Sequence, residues 1–135
     1  MERYPSVGIY IEPKSSIEEA GILFDPHEIR LLRRIVRDYN FRGTDAERTF
    51  EMWVGVRQNE EKNIFPYVGH CALQIDSTMS YEIGVLKPFL EKILIDVPAH
   101  SPFRHSADKI LDQIKMVMPI SAELIPSDSL YKEFV

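Results

Sequence analysis

Residues 25–43 constrain the fold most, because they carry the apolar pattern and both end signals of a single amphipathic helix. Asp25 is a typical N-cap residue, and Pro26 suits the first helical position. Gly43 readily adopts the left-handed conformation that ends a helix. At about 100° per residue, one face is apolar and the other carries arginines: Leu31, Leu32, Ile35, Val36 and Tyr39, against Arg30, Arg33, Arg34 and Arg37. The sequence therefore predicts one helix over about 26–43.

The arginine face of this helix needs counter-charges. Like charges at i, i+3, i+4 and i+7 repel one another, by about 0.2–0.5 kcal/mol for each close pair on an isolated helix. The chain as a whole is acidic, with a net charge of −5. Because the planar guanidinium fork suits phosphate, we interpret the face as an anion-binding surface. The alternative is an ordinary solvated face that is neutralised by nearby carboxylates: Glu28, Asp38, Asp45 and Glu47.

The rest of the sequence indicates a few short strands and several amphipathic helices. Runs of β-prone residues predict strands over 7–11, 71–76 and 81–86. Apolar periodicity predicts further helices over about 45–57, 88–95 and 102–118, the first of them opened by a capping box of Thr44 and Glu47. Residues 12–20 and 58–63 are expected to be polar loops. Residues 21–24 are expected to be either a strand end or a packed loop.

This mixture of elements indicates an α/β or α+β domain. At 135 residues, the chain is most simply one domain that spans 1–135 and buries a real core. Three or so strands make a small sheet for this many helices. We therefore expect that residues or a partner outside this chain complete the sheet.

Composition and targeting signals argue against several functional classes. The single cysteine, Cys71, cannot form an internal disulfide, which fits a reducing compartment. Residues 1–5 contain no apolar signal-peptide core, and no apolar run is long enough to span a membrane. We therefore expect a soluble, cytoplasmic protein without a membrane partner. The acidic net charge also makes nucleic-acid binding a poor default.

Other residues that could carry chemistry favour structural roles. The four histidines and Cys71 show no firm metal-ligand spacing, so we expect no metal site. Cys71 is expected to be a buried structural thiol and Trp53 a core residue. The acidic pair Glu60 and Glu61 is expected to be solvated in a loop. The sequence has no GxxxxGK[ST] phosphate loop.

Four segments resemble a known family. Residues 30–43 (RLLRRIVRDYNFRG) are similar to the RLxRRxxRDxxxRG lid helix of the uridine kinase and phosphoribulokinase family, which are P-loop kinases. Residues 51–67, 81–88 (YEIGVLKP) and 125–134 (IPSDSLYKEF) resemble, in the same order, segments of a longer-chain branch of uridine-kinase-like nucleoside kinases. The likeness covers most of residues 25–135. It implies a partial P-loop kinase-like α/β domain, the C-terminal part of such a kinase without its phosphate loop.

The resemblance implies an activity and a set of roles. The activity is ATP-dependent phosphorylation of the 5′-hydroxyl of uridine or a related nucleoside, with ATP and Mg²⁺ as cofactors. Such catalysis depends on positioning and charge stabilisation, and the lid excludes water. By position in the motif, Arg33, Arg34 and Arg37 would hold phosphate. Arg30 would lie toward the nucleoside or the transferring group, and Asp38 would orient an arginine. The resemblance identifies no catalytic residue in this chain.

Two departures from the family pattern bear on the substrate. Gln58 and Asn59 stand where the family has Arg-Gly, and residues 68–71 replace an acidic stretch. Our first interpretation is a kinase part that is inactive alone, binds nucleotide or nucleoside, and pairs with a complementary chain or a second copy. Two alternatives stay open: a non-catalytic module that binds a nucleotide, an anion or a partner, and an interaction domain without a ligand.

Overall fold

The computed structural model describes residues 6–135, which form a mixed α/β fold and confirm that class. Its strands are β1 (Ile9–Glu12), β2 (Ile17–Glu19), β3 (Ile22–Phe24) and β4 (Leu73–Asp76). Its α-helices are α1 (Pro26–Arg42), α2 (Ala46–Asn63), α3 (Phe65–Val68), α4 (Glu82–Ile95) and α5 (Arg104–Ile114). Two 3-10 turns follow, at Ala122–Leu124 and Leu130–Glu133. The pentapeptide on which the signal-peptide expectation rests lies outside the described residues.

Helix α1 forms as its end signals predict. The Asp25 side chain accepts a hydrogen bond from the Glu28 amide at 2.9 Å, and the Glu28 carboxylate accepts one from the Asp25 amide at 3.0 Å. Gly43 ends the helix at φ +59°. Four apolar side chains of α1 are at most 2% exposed: Ile29, Leu32, Ile35 and Val36. They pack against α4 and anchor the arginine face to the core.

The strand predicted over 81–86 is wrong, because these residues open helix α4. Residues 82–87 are buried on every side of the helix, and a short, mostly apolar run does not separate a buried strand from a buried helix. The helix also continues through Pro88, which lacks the N–H that would bond to the Gly84 carbonyl. The amide of Ile120 takes that place and donates to Gly84 O at 2.9 Å. A tertiary contact therefore satisfies the group that the proline leaves open.

Helix α2 begins one residue later and ends six residues later than the sequence predicts. Asp45, not Thr44, is the N-cap, and its carboxylate accepts from the Arg48 amide at 2.9 Å. The helix then runs through Gly55 and the charged stretch 58–63 to Asn63. Glutamate, lysine and glutamine are good helix formers, and an isolated exposed glycine is tolerated inside a helix.

The strands form two small sheets. Strand β1 pairs with β4 in parallel, with Ile9 opposite Leu73 and Ile11 opposite Ile75. Strands β2 and β3 form an antiparallel hairpin, so part of the predicted loop 12–20 is a strand. One face of the parallel pair is apolar and exposed, at 55% for Ile9, 59% for Ile11, 50% for Leu73 and 39% for Ile75. Parallel sheets are normally covered on both faces, so this pair of strands lacks its usual cover within residues 6–135.

Helix α5 closes the core on the side of α4, with Ala107, Ile110 and Ile114 buried as its apolar stripe predicts. Val117 extends that stripe beyond the helix and is 1% exposed. No helix among residues 6–135 combines the length and the apolar character needed to cross a membrane.

Candidate functional site

Four of the five arginines of α1 line one open cleft of about 410 Å³, which we call the arginine cleft. Its other walls come from β1, from α2, from the turn after β4 and from the C-terminal segment: Tyr10, Ile11, Glu12, Pro13, Trp53, Glu60, Ile64, Ser77, Leu130 and Phe134. The cleft adjoins the carboxyl ends of the parallel strands β1 and β4. Ligands of open α/β sheets commonly bind at that edge. The structure therefore brings Arg30, Arg33, Arg34 and Arg37 together at a place suited to a ligand.

Arg33 is the most constrained of the four, and it is only 7% exposed. Its Nε donates to Glu82 Oε1 and to the Tyr131 hydroxyl, both at 2.8 Å. Its Nη2 donates to Glu82 Oε2 at 2.9 Å and to the Ser77 carbonyl at 2.8 Å, and Nη1 donates to Ser77 Oγ at 3.0 Å. A guanidinium has five N–H donors. Arg33 therefore keeps one N–H for a ligand, and its side chain mainly ties α1 to α4 and the C-terminal segment.

Arg33 stays charged despite its burial. Burial alone would lower its pKa, but the hydrogen bonds and charge of Glu82, together with the contact to Tyr131, outweigh that effect, and the net pKa is raised. Glu82 is fully buried and also accepts from the Met79 amide at 2.8 Å. The pair is therefore a buried, hydrogen-bonded ion pair, the arrangement that such charges require.

Arg30 lies beside the one tryptophan of the chain. Its Nη1 donates to Glu60 Oε2 at 2.7 Å, and its Nη2 donates to Glu60 Oε1, so the pair is bidentate. These bonds raise the pKa of Arg30, which burial opposes. The guanidinium carbon lies 5.5 Å from the centre of the Trp53 ring. The prediction that Glu60 is a solvated residue of a loop is wrong, because Glu60 lies on α2 and is 6% exposed.

Arg34 and Arg37 share one carboxylate, that of Asp38. Arg37 donates to Asp38 Oδ1 from Nη2 at 2.9 Å and from Nε at 3.2 Å. Arg34 Nε lies 3.6 Å from Asp38 Oδ2. Arg34 Nε is buried and has no hydrogen-bond partner among the described residues. Asp38 is 2% exposed and also accepts from Thr49 Oγ1 at 3.3 Å. Asp38, to which the sequence motif gives an orienting role, therefore contacts both Arg34 and Arg37.

The charge balance of the cleft leaves its positive excess at Arg34 and Arg37. Glu60 neutralises Arg30, and Glu82 neutralises Arg33, whereas two arginines face the single carboxylate of Asp38. Burial lowers the pKa of Arg34, and the charges of Arg37 and Arg42 act in the same direction against Asp38. An anion beside the Nη groups of Arg34 would offset this repulsion, whereas Nε is too buried to contact it.

The wall opposite the arginines is partly acidic. Tyr10 on β1 donates from its hydroxyl to Glu12 Oε2 at 2.7 Å. Burial raises the pKa of Tyr10, and the neighbouring Glu12 raises it further, so the phenol stays neutral. An anion in the cleft is therefore favoured on the side of Arg34 and Arg37, away from Glu12.

The described residues offer phosphate a place but do not fit a resident Mg²⁺. No three histidine, cysteine, aspartate or glutamate side chains in residues 6–135 come together as metal ligands. Asp76, at the end of β4, is already occupied by donors from Ser15 Oγ and the amides of Lys14 and Thr78. These bonds lower the pKa of Asp76 and fill its oxygens. In nucleotide sites Mg²⁺ is usually held by one or two carboxylates together with substrate phosphates and waters. The two carboxylates that line this cleft, Glu12 and Glu60, are already hydrogen-bonded to Tyr10 and Arg30.

Sequence reasoning missed four members of the site. Trp53 is half-buried on the cleft wall instead of in the core, and Glu60, Glu82 and Tyr131 were given no role. One signal could have pointed to Glu82, because a lone acid inside the apolar run 81–86 needs a buried partner. Cys71 is half-buried near the start of β4 and does not line the arginine cleft.

In comparisons with protein-family models, curated proteins and solved structures, nothing matches the chain.

Proposed function

We propose that the chain is the lid-bearing part of a nucleoside kinase of the uridine kinase type, whose arginine cleft takes the phosphates of a nucleotide. One observation carries the proposal: four arginines of one helix line a single cleft at the carboxyl ends of two parallel strands. The excess positive charge at Arg34 and Arg37 suits an anion with several oxygens. The resemblance of residues 30–43 to a kinase lid helix supports the same assignment.

Within this proposal the four arginines of the cleft have different roles. Arg34 and Arg37 hold phosphate, and Asp38 fixes the direction of Arg37. Arg30 lies beside Trp53 and is placed toward the nucleoside or the transferring group, where an aromatic ring suits a base. Arg33 contributes one N–H at most and fixes the helix. The lid then acts by charge stabilisation and by exclusion of water from phosphoryl transfer.

We propose that this part is inactive alone and works with a complementary chain or segment that holds the phosphates of ATP. The sequence contains no GxxxxGK[ST] loop, and the arginine cleft does not fit Mg²⁺. The exposed apolar face of the β1–β4 pair is the place where such a partner would extend or cover the sheet. Mg²⁺ would therefore reach the site with that partner, whereas the arginine cleft alone would bind the phosphates of a nucleotide weakly.

The first experiment is a titration with ATP, ADP and UMP, followed by the fluorescence of Trp53. This residue is the only tryptophan in the sequence, and it lines the cleft, so its emission reports on the site directly. A charged hydrogen bond contributes about 1.5–3 kcal/mol. Arg34→Ala and Arg37→Ala should therefore each weaken binding by about ten-fold or more.

The matched control is Arg48→Ala, on the exposed first turn of α2 and outside the cleft. It should bind like the wild type.

A separate assay for ATP-dependent phosphorylation of uridine should find no turnover by the chain alone. Robust turnover would contradict the proposed need for a partner, and unchanged binding in both cleft variants would contradict the phosphate site.

A non-catalytic nucleotide- or anion-binding module is the second candidate, and one observation favours it. The cleft is built from helices, a strand and a C-terminal segment of the same chain, and its arginines are held by Glu60, Glu82 and Asp38. A ligand could therefore bind without a second chain. Nucleotide binding by a chain that pairs with no kinase part in a cell extract would favour this module.

A further inference from the structure

The C-terminal segment forms one wall of the arginine cleft. Leu130 and Phe134 both line it. The Arg33 guanidinium lies over two aromatic rings of the segment, 5.3 Å from the ring centre of Tyr131 and 6.0 Å from that of Phe134. The last residues of the chain therefore contact the same helix face that carries the phosphate-binding arginines.

Tyr131 fastens this segment to the core. Its side chain is fully buried, its hydroxyl accepts from Arg33 Nε at 2.8 Å, and the same hydroxyl donates to Glu82. Its ring packs against Tyr81 at 5.9 Å and against Phe134 at 5.5 Å. Burial raises the pKa of Tyr131, and the Glu82 carboxylate raises it further, so the hydroxyl keeps its proton and remains a donor.

Two further hydrogen bonds hold the segment along its length. Asn40 Nδ2 on α1 donates to the Phe134 carbonyl at 2.9 Å, and the hydroxyls of Tyr81 and Ser129 lie 2.9 Å apart. Arg33 and Asn40 are about 10 Å apart along the axis of α1, at about 1.5 Å per residue. The segment is therefore tied across two turns of the arginine helix and to the start of α4.

We infer that residues 129–135 are a strap that Tyr131 latches over the arginine cleft, and that the docked strap sets the affinity of the cleft for phosphate. The inference rests on the proposed phosphate site. The apolar side chains of Leu130 and Phe134 keep water from one side of the cleft, and attraction between guanidinium and phosphate strengthens as the local dielectric falls. Tyr131 is thus a positioning residue that acts through Arg33.

The latch is tested without a ligand, by the reaction of arginines with phenylglyoxal, mapped by peptide mass spectrometry. Arg33 should be protected in the wild type and in the control Tyr67→Phe, whose ring is 63% exposed outside the cleft. In Tyr131→Phe the strap loses its two buried hydrogen bonds, with Arg33 and with Glu82, and opens more often, so Arg33 should react about five-fold faster or more. Arg104, held by the carbonyl groups at the end of α4, is the internal standard for general loosening.

The effect on the cleft is tested with ATP and Trp53 fluorescence. Tyr131→Phe and Phe134→Ala should each weaken binding by about three- to ten-fold, because both loosen the wall. Unchanged protection of Arg33 in Tyr131→Phe would overturn the latch, as would equal acceleration at Arg104. Tighter ATP binding by Phe134→Ala would contradict the proposal that this segment strengthens phosphate binding, and would show that the segment obstructs the cleft. If the wild type binds no ATP, the proposed function fails, and the protection of Arg33 alone decides the latch.

Discussion

Replacement of Glu82 by glutamine should destabilise the fold strongly, because it removes one charge of a buried ion pair. The Glu82 carboxylate is fully buried and accepts four hydrogen bonds, two from Arg33 and one each from the Met79 amide and the Tyr131 hydroxyl. Glutamine keeps the size of the side chain but turns one oxygen into an N–H donor that faces other donors. It also leaves the Arg33 guanidinium, 7% exposed, without its counter-charge.

The expected loss in the free energy of unfolding is about 3–5 kcal/mol, the usual cost of breaking a buried pair by removing one partner. For a domain whose total stability is about 5–15 kcal/mol, this is a large fraction. With an m-value of about 1–3 kcal/mol/M in urea, the midpoint should fall by about 1 M or more. Unfolding is followed by Trp53 fluorescence and, independently, by far-ultraviolet circular dichroism.

Two comparison variants make this result specific to the buried pair. Glu51→Gln removes an ion pair with Arg48 whose side chains are 61% and 58% exposed, and it should cost less than about 1 kcal/mol. The double variant Arg33→Met with Glu82→Gln should be more stable than Glu82→Gln alone, because no unpaired charge remains buried. A loss below about 1 kcal/mol for Glu82→Gln would refute the reasoning.

Three other predictions concern glycine, acid and salt. Gly84→Ala should lower the free energy of unfolding, measured in urea, by about 1–3 kcal/mol, because a Cβ there would lie 2.8 Å from the Met118 carbonyl oxygen. In the same assay Gly55→Ala, which has open space around it, should be neutral or stabilising by up to about 1 kcal/mol. The pKa of Asp76 is lower in the folded chain than its ordinary value, so its stabilisation is full at neutral pH and is lost as pH falls below about 4; the stability difference between wild type and Asp76→Asn should therefore shrink on acidification, and a constant difference would contradict this. ATP binding should weaken as sodium chloride rises, because ion pairs at a partly open cleft are screened; titrations at low and high salt with equal affinity would argue against guanidinium contacts.

The sequence predicts those parts of the fold that local signals control. Asp25, Pro26 and Gly43 set the ends of α1, and the spacing of its arginines correctly groups them on one face. Local signals do not predict the type of secondary structure where tertiary packing determines it. Apart from Glu82, the stretch 81–86 has no polar face, so periodicity cannot distinguish a strand from a helix. The contact of Ile120 with Gly84 that accommodates Pro88 comes from a distant part of the chain.

The cations of the candidate site and one of their counter-ions, Asp38, could be predicted from the sequence, but the counter-ions Glu60 and Glu82 could not. The motif implied the orienting role of Asp38, which is next to Arg37 in sequence. Glu82 lies 49 positions from Arg33, and Tyr131 lies 98 positions from it, so no local spacing connects them. The sequence motif therefore gives Arg33, Arg34 and Arg37 the same phosphate role, whereas the fold engages Arg33 in structural hydrogen bonds and leaves the positive excess at Arg34 and Arg37.

The affinity of the chain for ATP, measured by titration calorimetry, tests the central claim most directly. The account predicts one site per chain with a dissociation constant below about 1 mM. It also predicts that the double variant Arg34→Ala with Arg37→Ala loses at least about ten-fold in affinity, since charged hydrogen bonds are removed. Arg48→Ala should bind like the wild type. Equal affinity in the wild type and the double variant, or no binding by the wild type, would contradict a phosphate site at these arginines.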